Sequence, residues 1–213
     1  MTVPRPLSKA KPLKRPTQAR AKVTVQAVFD AFVRIWQRDG WQKLTTRAVA
    51  LETGIAVGTL YDYFPSKTAL LSGYVRHCIE TLLAEIDRRA VLPPDLPWTA
   101  RIDELVRLCC GVDAPELPWF HRDMLALETE MAEPKHQARA NEELASAWMR
   151  VFDACADLPR RPPEHVVRSL HLAVWGGRRY AMLVQLDAAA MAVWADDMAR
   201  LCHAAVRSVD PVA

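Results

Sequence analysis

Residues 44–71 read LTTRAVALETGIAVGTLYDYFPSKTALL, and their spacing decides the fold. With Thr46 as the first position of a helix-turn-helix, Val49 and Ala50 fall at positions 4 and 5, Gly54 at 9, Ile55 at 10 and Leu60 at 15. Each residue type has a physical reason. Ala50 stands where the second helix crosses closest to the first, so it must be small. Gly54 can take the left-handed conformation that a tight inter-helix turn needs. Ile55 and Leu60 bury the inner face of the second helix, with Phe64 beside them in the core. Val57, Gly58, Thr59, Tyr61 and Asp62 are left facing outward.

Upstream, Val25, Val28, Phe29, Phe32 and Trp36 recur at helical spacing on one face. The helix they define is expected from Thr17 to a stop at Gly40. Two shorter stretches follow, Leu44 to Thr53 and Val57 to Phe64. Ser66 then caps a long helix running through Leu70, Tyr74, Cys78 and Leu82 to Ile86. The segment VLPPDLPW breaks the pattern. Further helices are expected at 98–111, 116–132, 135–157, 163–186 and 188–208, separated by prolines and a turn near Asp187. No stretch alternates with period two, and no internal repeat is visible. The chain is expected to be all-α. A flexible basic arm (1–16) precedes a three-helix DNA-binding domain with a helix-turn-helix (17–66). A larger helical ligand-binding and dimerisation domain (67–213) follows.

The 213 residues carry a net charge of +3, but the charge is uneven. The first 70 residues hold 12 Lys/Arg against 4 Asp/Glu; the rest hold 16 against 21. A basic module on an acidic body implies that the first part meets a polyanion. Residues 1–16 add Arg5, Lys9, Lys11, Lys14 and Arg15 between four prolines, which forbid a continuous helix. Five cysteines (78, 109, 110, 155 and 202) lie in apolar periodic stretches and read as small buried hydrophobes. No apolar run is long enough to span a bilayer, and no apolar stretch follows the basic N-terminus as in a secretory signal, so a cytoplasmic location is expected. No GxSxG, HExxH or phosphate-binding glycine loop occurs, and the six histidines do not pair at metal-ligand spacing. An enzyme, a cofactor and a metal site are therefore not expected.

The run G54-I-A-V-G-T-L-Y-D-Y-F-P-S-K-T-A-L70 resembles the DNA-binding domain of the TetR family of transcriptional regulators, over about residues 17–75. The resemblance implies that Thr45 and Thr46 hold DNA phosphate at the start of the second helix, which suits the anion affinity of helix N-termini. Arg47 matches a position that reaches a guanine edge in some members, or else serves as a solvated or phosphate-bound cation. Thr59, Tyr61, Tyr63 and Lys67 match phosphate-contacting positions, and both tyrosines can also pack half-buried while presenting their hydroxyls. Ala56, Val57 and Gly58 stand where the family reads bases, here through thymine methyls and close backbone approach. Asp62 departs from the pattern: it can accept from cytosine N4 or pair with a nearby cation.

For the body, helical stripes suggest a four-helix dimer seam. Its residues would be Val167, Leu170, Val174, Gly177, Ala181 and Val184 on one helix, with Trp194, Met198, Leu201 and Ala205 on the next. Family ligands lie among the middle helices, and Trp98, Trp119, His121, Met124, Glu128, Trp148, Phe152, His171 and Trp175 are the pocket candidates, with core packing as the alternative for each. His121 and Glu128 are spaced for one helix face, where they could meet a cationic ligand or each other. The expected function is a homodimeric repressor on a palindromic double-stranded operator, released by a small-molecule effector of unknown identity. The competing expectation is a ligand-independent architectural DNA-binding protein.

Overall fold

The computed structural model describes residues 19–131 and 133–208. The expected basic arm and the helix start at Thr17 lie outside them. Among the described residues there are helices and no strand. They are α1 (Ala19–Lys43), α2 (Thr46–Thr53), α3 (Val57–Tyr63), α4 (Lys67–Ile86), α5 (Trp98–Cys110), α6 (Arg122–Met131), α7 (Pro134–Ala154), α8 (Glu164–Leu183) and α9 (Ala188–Arg207). A π-helical turn, Asp87–Val91, continues α4. None of these helices is long and apolar enough to cross a membrane.

The chain forms two compact units, one reaching to His77 and including the segment from Leu127, the other comprising Cys78–Ala126 and the chain from Glu133. The boundary expected after Ser66 thus falls later. The reason is packing: Tyr74 buries its ring against Phe29 and Phe32 at 5.5 and 5.1 Å, and His77 stacks on Phe29 at 5.1 Å. Val28, Phe32, Ile35, Leu44, Val49, Ala50, Leu60 and Leu70 complete this core. Gly40 breaks α1 with φ 77°, and Gly54 ends α2 with φ 70°, its N–H reaching back to the carbonyls of Ala50 and Leu51. Both are backbone states that favour glycine.

In the second unit the core gathers the end of α4 with α5, α7, α8 and α9 around Ile86, Ile102, Leu105, Trp148, Val151 and Phe152. The helix expected over 116–132 starts at Arg122. Leu117 N–H closes on the Ala114 carbonyl at 3.1 Å, with Pro115 at the corner of this turn, and Pro118 has no N–H to continue a helix.

The dimer stripe also needs correction. Val167, Val174 and Ala181 are buried inside this unit, and Leu170, Trp194 and Met198 pack half-buried against the same core. Ala205 is half-buried, and Gly177 lies under the Trp194 indole. Of the expected seam only Val184 and Leu201 are well exposed. Helical periodicity marks an apolar face without saying whether the subunit or a partner covers it. The exposed apolar residues are Leu172, Tyr180 and Leu183 on α8, and Val193 and Leu201 on α9.

A Cβ at Gly177 would stand 2.5 and 3.0 Å from two Trp194 ring atoms. Gly177→Ala gains up to about 1 kcal/mol of helix propensity, but overpacking against a large ring costs about 1–3 kcal/mol. The overlap wins, so denaturant midpoints should show a net loss. Adding Trp194→Leu should recover part of it. A neutral Gly177→Ala would mean that the ring swings aside freely.

Candidate nucleic-acid interface

Thr45 caps α2, its Oγ1 accepting the Ala48 N–H at 3.0 Å. The N–H groups of Thr46 and Arg47, in the first turn, have no intrahelical partner to meet, and they form the positive end of the helix. Arg47 is exposed and makes no ion pair among the described residues. Glu52, at the far end of α2, is tied to α1 by Arg34 at 2.8 Å and Arg38 at 3.3 Å, which leaves the N-terminal end of α2 electropositive.

Thr46 is buried, and its hydroxyl lies 3.1 Å from the Tyr61 hydroxyl. This pair joins α2 to α3. It engages both hydroxyls, each of which the resemblance assigned to phosphate, while the Tyr61 ring stays partly exposed. Along α3, Leu60 is fully buried, whereas Val57, Gly58, Thr59, Tyr61 and Asp62 are exposed, as is Ala56 just before them. Small side chains at Ala56 and Gly58 let the α3 backbone approach a flat surface closely. Tyr63 is half-buried beside Phe64.

Lys67 opens α4, which Ser66 caps by accepting the Ala69 N–H at 3.0 Å. The ammonium donates to the Trp41 carbonyl at 2.7 Å and lies 4.0 Å above the Trp41 ring. Burial lowers its pKa from the ordinary lysine value. Lys67 therefore clamps the turn after Gly40, and only its remaining N–H groups are available for phosphate. The residue types gave no hint of this clamp, because the partner is a backbone carbonyl 26 positions away.

Of the pocket candidates, Trp98, Trp148 and Phe152 share the core of the second unit, with Trp175 packed against it. Trp98 starts α5, its N–H held by the Asp157 carboxylate at 3.0 Å and its ring between His203 and Arg207. Met124 and Phe152 are buried, and Trp119 stacks on His121 at 5.5 Å. His121 precedes α6 and accepts the Asp123 N–H at 3.3 Å. The proposed single helix face for His121 and Glu128 is thereby removed. Trp148 and His171 meet edge to face at 5.9 Å, and Trp175 lies on α8 one turn further along. Composition missed Arg178, whose guanidinium carbon stands 5.3 Å from the Trp175 ring centre. Its place in the inner series His171, Val174, Arg178, Ala181 was the available signal.

Residues 28–73 match the family model described as bacterial regulatory proteins, tetR family. Over this segment the chain is similar to the tetR family. Over 64 residues it is 41% identical to the HTH-type transcriptional repressor KstR of Mycolicibacterium smegmatis, covering 30% of this chain and 31% of that one. Over 107 residues it is 30% identical to the nucleoid occlusion factor SlmA of Marinomonas sp., covering 48% and 53%. The match thus spans about a third to a half of these curated relatives. A TetR transcription regulator from Haloarcula marismortui superposes with a TM-score of 0.61 at 19% identity, over 86% of this chain and 98% of that one. A TetR-family regulator from Streptomyces coelicolor gives 0.60 at 18%, over 89% and 99%. At such identities the likeness is one of fold. It extends the tetR-family architecture over most of the chain, while sequence similarity concentrates in the N-terminal part.

Proposed function

We propose that this chain is a tetR-family transcription regulator, a homodimeric repressor that binds a palindromic operator and releases it when a small molecule enters the second unit. The observation that carries the DNA reading is the outward face of α3. Its small residues Ala56 and Gly58 and its apolar Val57 stand clear of the core, next to the positive end of α2 with exposed Arg47. Thr45, Thr59, Tyr61, Tyr63 and Lys67 supply N–H and O–H groups for the flanking phosphates. Thr46 contributes its backbone N–H. The protein named KstR is a transcriptional repressor, in line with this reading.

The seam lies on the outer faces of α8 and α9, where Tyr180 is 67%, Val193 62% and Leu201 58% exposed. Apolar residues this exposed on two long neighbouring helices suit a two-fold bundle with a second copy. Ligand in the second unit acts through α4, the helix that follows the motif, to change the separation of the two reading helices.

The double substitution Val193→Glu with Leu201→Glu places charge in that seam. The variant should sediment as a monomer with its helical content intact, and lose operator affinity by about two orders of magnitude or more as one half-site drops out. A dimeric variant would move the interface elsewhere. A monomer with full affinity would refute the palindromic reading. The match to a nucleoid occlusion factor, which runs beyond the helix-turn-helix, favours one second reading: an architectural DNA-binding protein without a ligand. That reading predicts that no small molecule changes DNA affinity.

A further inference from the structure

The terminal guanidinium nitrogens of the other interior arginines of the second unit meet carbonyls or carboxylates, and Arg178 is the exception. Arg101 donates to backbone carbonyls, Arg89 pairs with Glu104 at 2.7 Å, and Arg107 pairs with Asp113 and Asp196. Arg178 on α8 has no carboxylate among the described residues, and its buried Nε has no hydrogen-bond partner. Its guanidinium carbon lies near two aromatic rings, 5.5 Å from the Phe120 centre and 5.3 Å from that of Trp175. The other groups about it are the Cys78, Cys109 and Cys110 thiols and Arg179. Burial pushes the Cys109 and Cys110 thiols up to about 11 and 12, so they carry no charge at neutral pH. Burial likewise lowers the pKa of Arg178 from its ordinary value. Three more buried polar atoms lack partners in the same unit: Arg101 Nε, His171 Nδ1, two turns earlier than Arg178 on the inner face of α8, and Trp148 Nε1 on α7.

A half-buried cation without a counter-ion, its Nε buried and unmet beside further unmet polar atoms, has the character of a site whose anion is supplied from outside. We propose that Arg178 receives the carboxylate of an organic acid whose apolar body lies along the inner face of α8 towards Trp148 and His171. This rests on the reading that the second unit senses a small molecule, and it names the class. A carboxylate matches the planar fork of N–H donors. One monoanion cancels the single charge, whereas a phosphate dianion would leave a net negative charge among thiols and aromatic rings. Phe120 and Trp175 call for an apolar group next to the acid. Their attraction for the cation explains how the empty site is tolerated, but a ring face gives the buried Nε–H no in-plane acceptor.

The test compares octanoate and benzoate with 1-octanol and octylammonium, read by thermal unfolding and tryptophan fluorescence of the full chain. A carboxylate should raise the midpoint saturably, by roughly 5–10 °C at a hundredfold excess over its Kd. The alcohol and the ammonium should not. Arg178→Met should weaken carboxylate binding at least tenfold, and Arg178→Lys should keep part of it. The comparison among ligands holds on the unmodified protein even if Arg178→Met does not fold. No shift with either carboxylate, or an equal shift with 1-octanol, overturns the proposal. Operator binding measured in parallel separates the two readings. If a carboxylate binds through Arg178 but leaves DNA affinity unchanged, the acid site stands and the sensor reading falls. If another class of compound releases DNA from Arg178→Met as readily as from the unmodified protein, the sensor reading stands and the acid site falls.

Discussion

Arg101→Ala should destabilise the second unit by about 3–5 kcal/mol, lowering its thermal midpoint by roughly 10 °C. The side chain is only 2% exposed. Its guanidinium donates to the carbonyls of Ala90 at 2.8 Å, Val91 at 3.0 Å and Pro94 at 3.4 Å, and to that of Pro93. These carbonyls end the π-helical turn and open the Pro-rich connection, where prolines 93, 94 and 97 have no N–H with which to satisfy them. Truncation removes the donors and leaves a cavity on α5, the helix against which α7, α8 and α9 all pack. Arg101→Lys should recover only part of the loss, because one ammonium cannot span four acceptors. A variant Arg101→Ala that unfolds with the unmodified protein would show that the turn needs no such support.

Lowering the pH from 6.5 to 4 should cost on the order of 3 kcal/mol through His171 alone. Burial, with Arg168 nearby, pushes its pKa down to about 4, and Glu142 opposes the shift only weakly. The ring is 2% exposed and contacts Asn141 Oδ1 at 3.1 Å through Nε2. Because the folded value is depressed, the unfolded chain binds the proton first as pH falls. The contribution is complete above pH 6.5 and disappears as pH drops through 4. His171→Gln preserves a donor for Asn141 and removes the titration. Urea midpoints at pH 7, 5 and 4 should therefore fall less steeply for that variant. Parallel slopes would mean that His171 is not the group that protonates.

The helix-turn-helix was legible because its determinants are local. A glycine at a required positive φ, an alanine at a helix crossing and an inner apolar pair fix α2 and α3 within 18 residues, and the structure shows Gly54, Ala50 and Leu60 in those states, with Ile55 only half-buried. Which face of α8 the subunit leaves exposed was not legible. Val167, Val174 and Ala181 and the true outer residues Leu172, Tyr180 and Leu183 are both apolar series at helical spacing, displaced around one helix. Only tertiary packing decides which of them the subunit covers. The Lys67 clamp and the Arg101 network use backbone carbonyls as partners, and a carbonyl leaves no mark on the residue sequence. Arg178 and Arg101 were both readable as charges in an apolar helical phase, a sign that stands out more than any count of aromatic residues.

The central claim, that the outer face of α3 reads base pairs, is tested most directly by selecting bound duplexes from a random pool with the unmodified protein and with Val57→Asn. The unmodified protein should recover a two-fold symmetric site, bound about a thousandfold or more above random duplex at physiological salt. The asparagine variant should recover a site changed at one base pair in each half, with adenine favoured there, and lose about 1–3 kcal/mol per half-site on the original sequence. Recovery of the same site by both proteins, or of no site above background, would contradict the account.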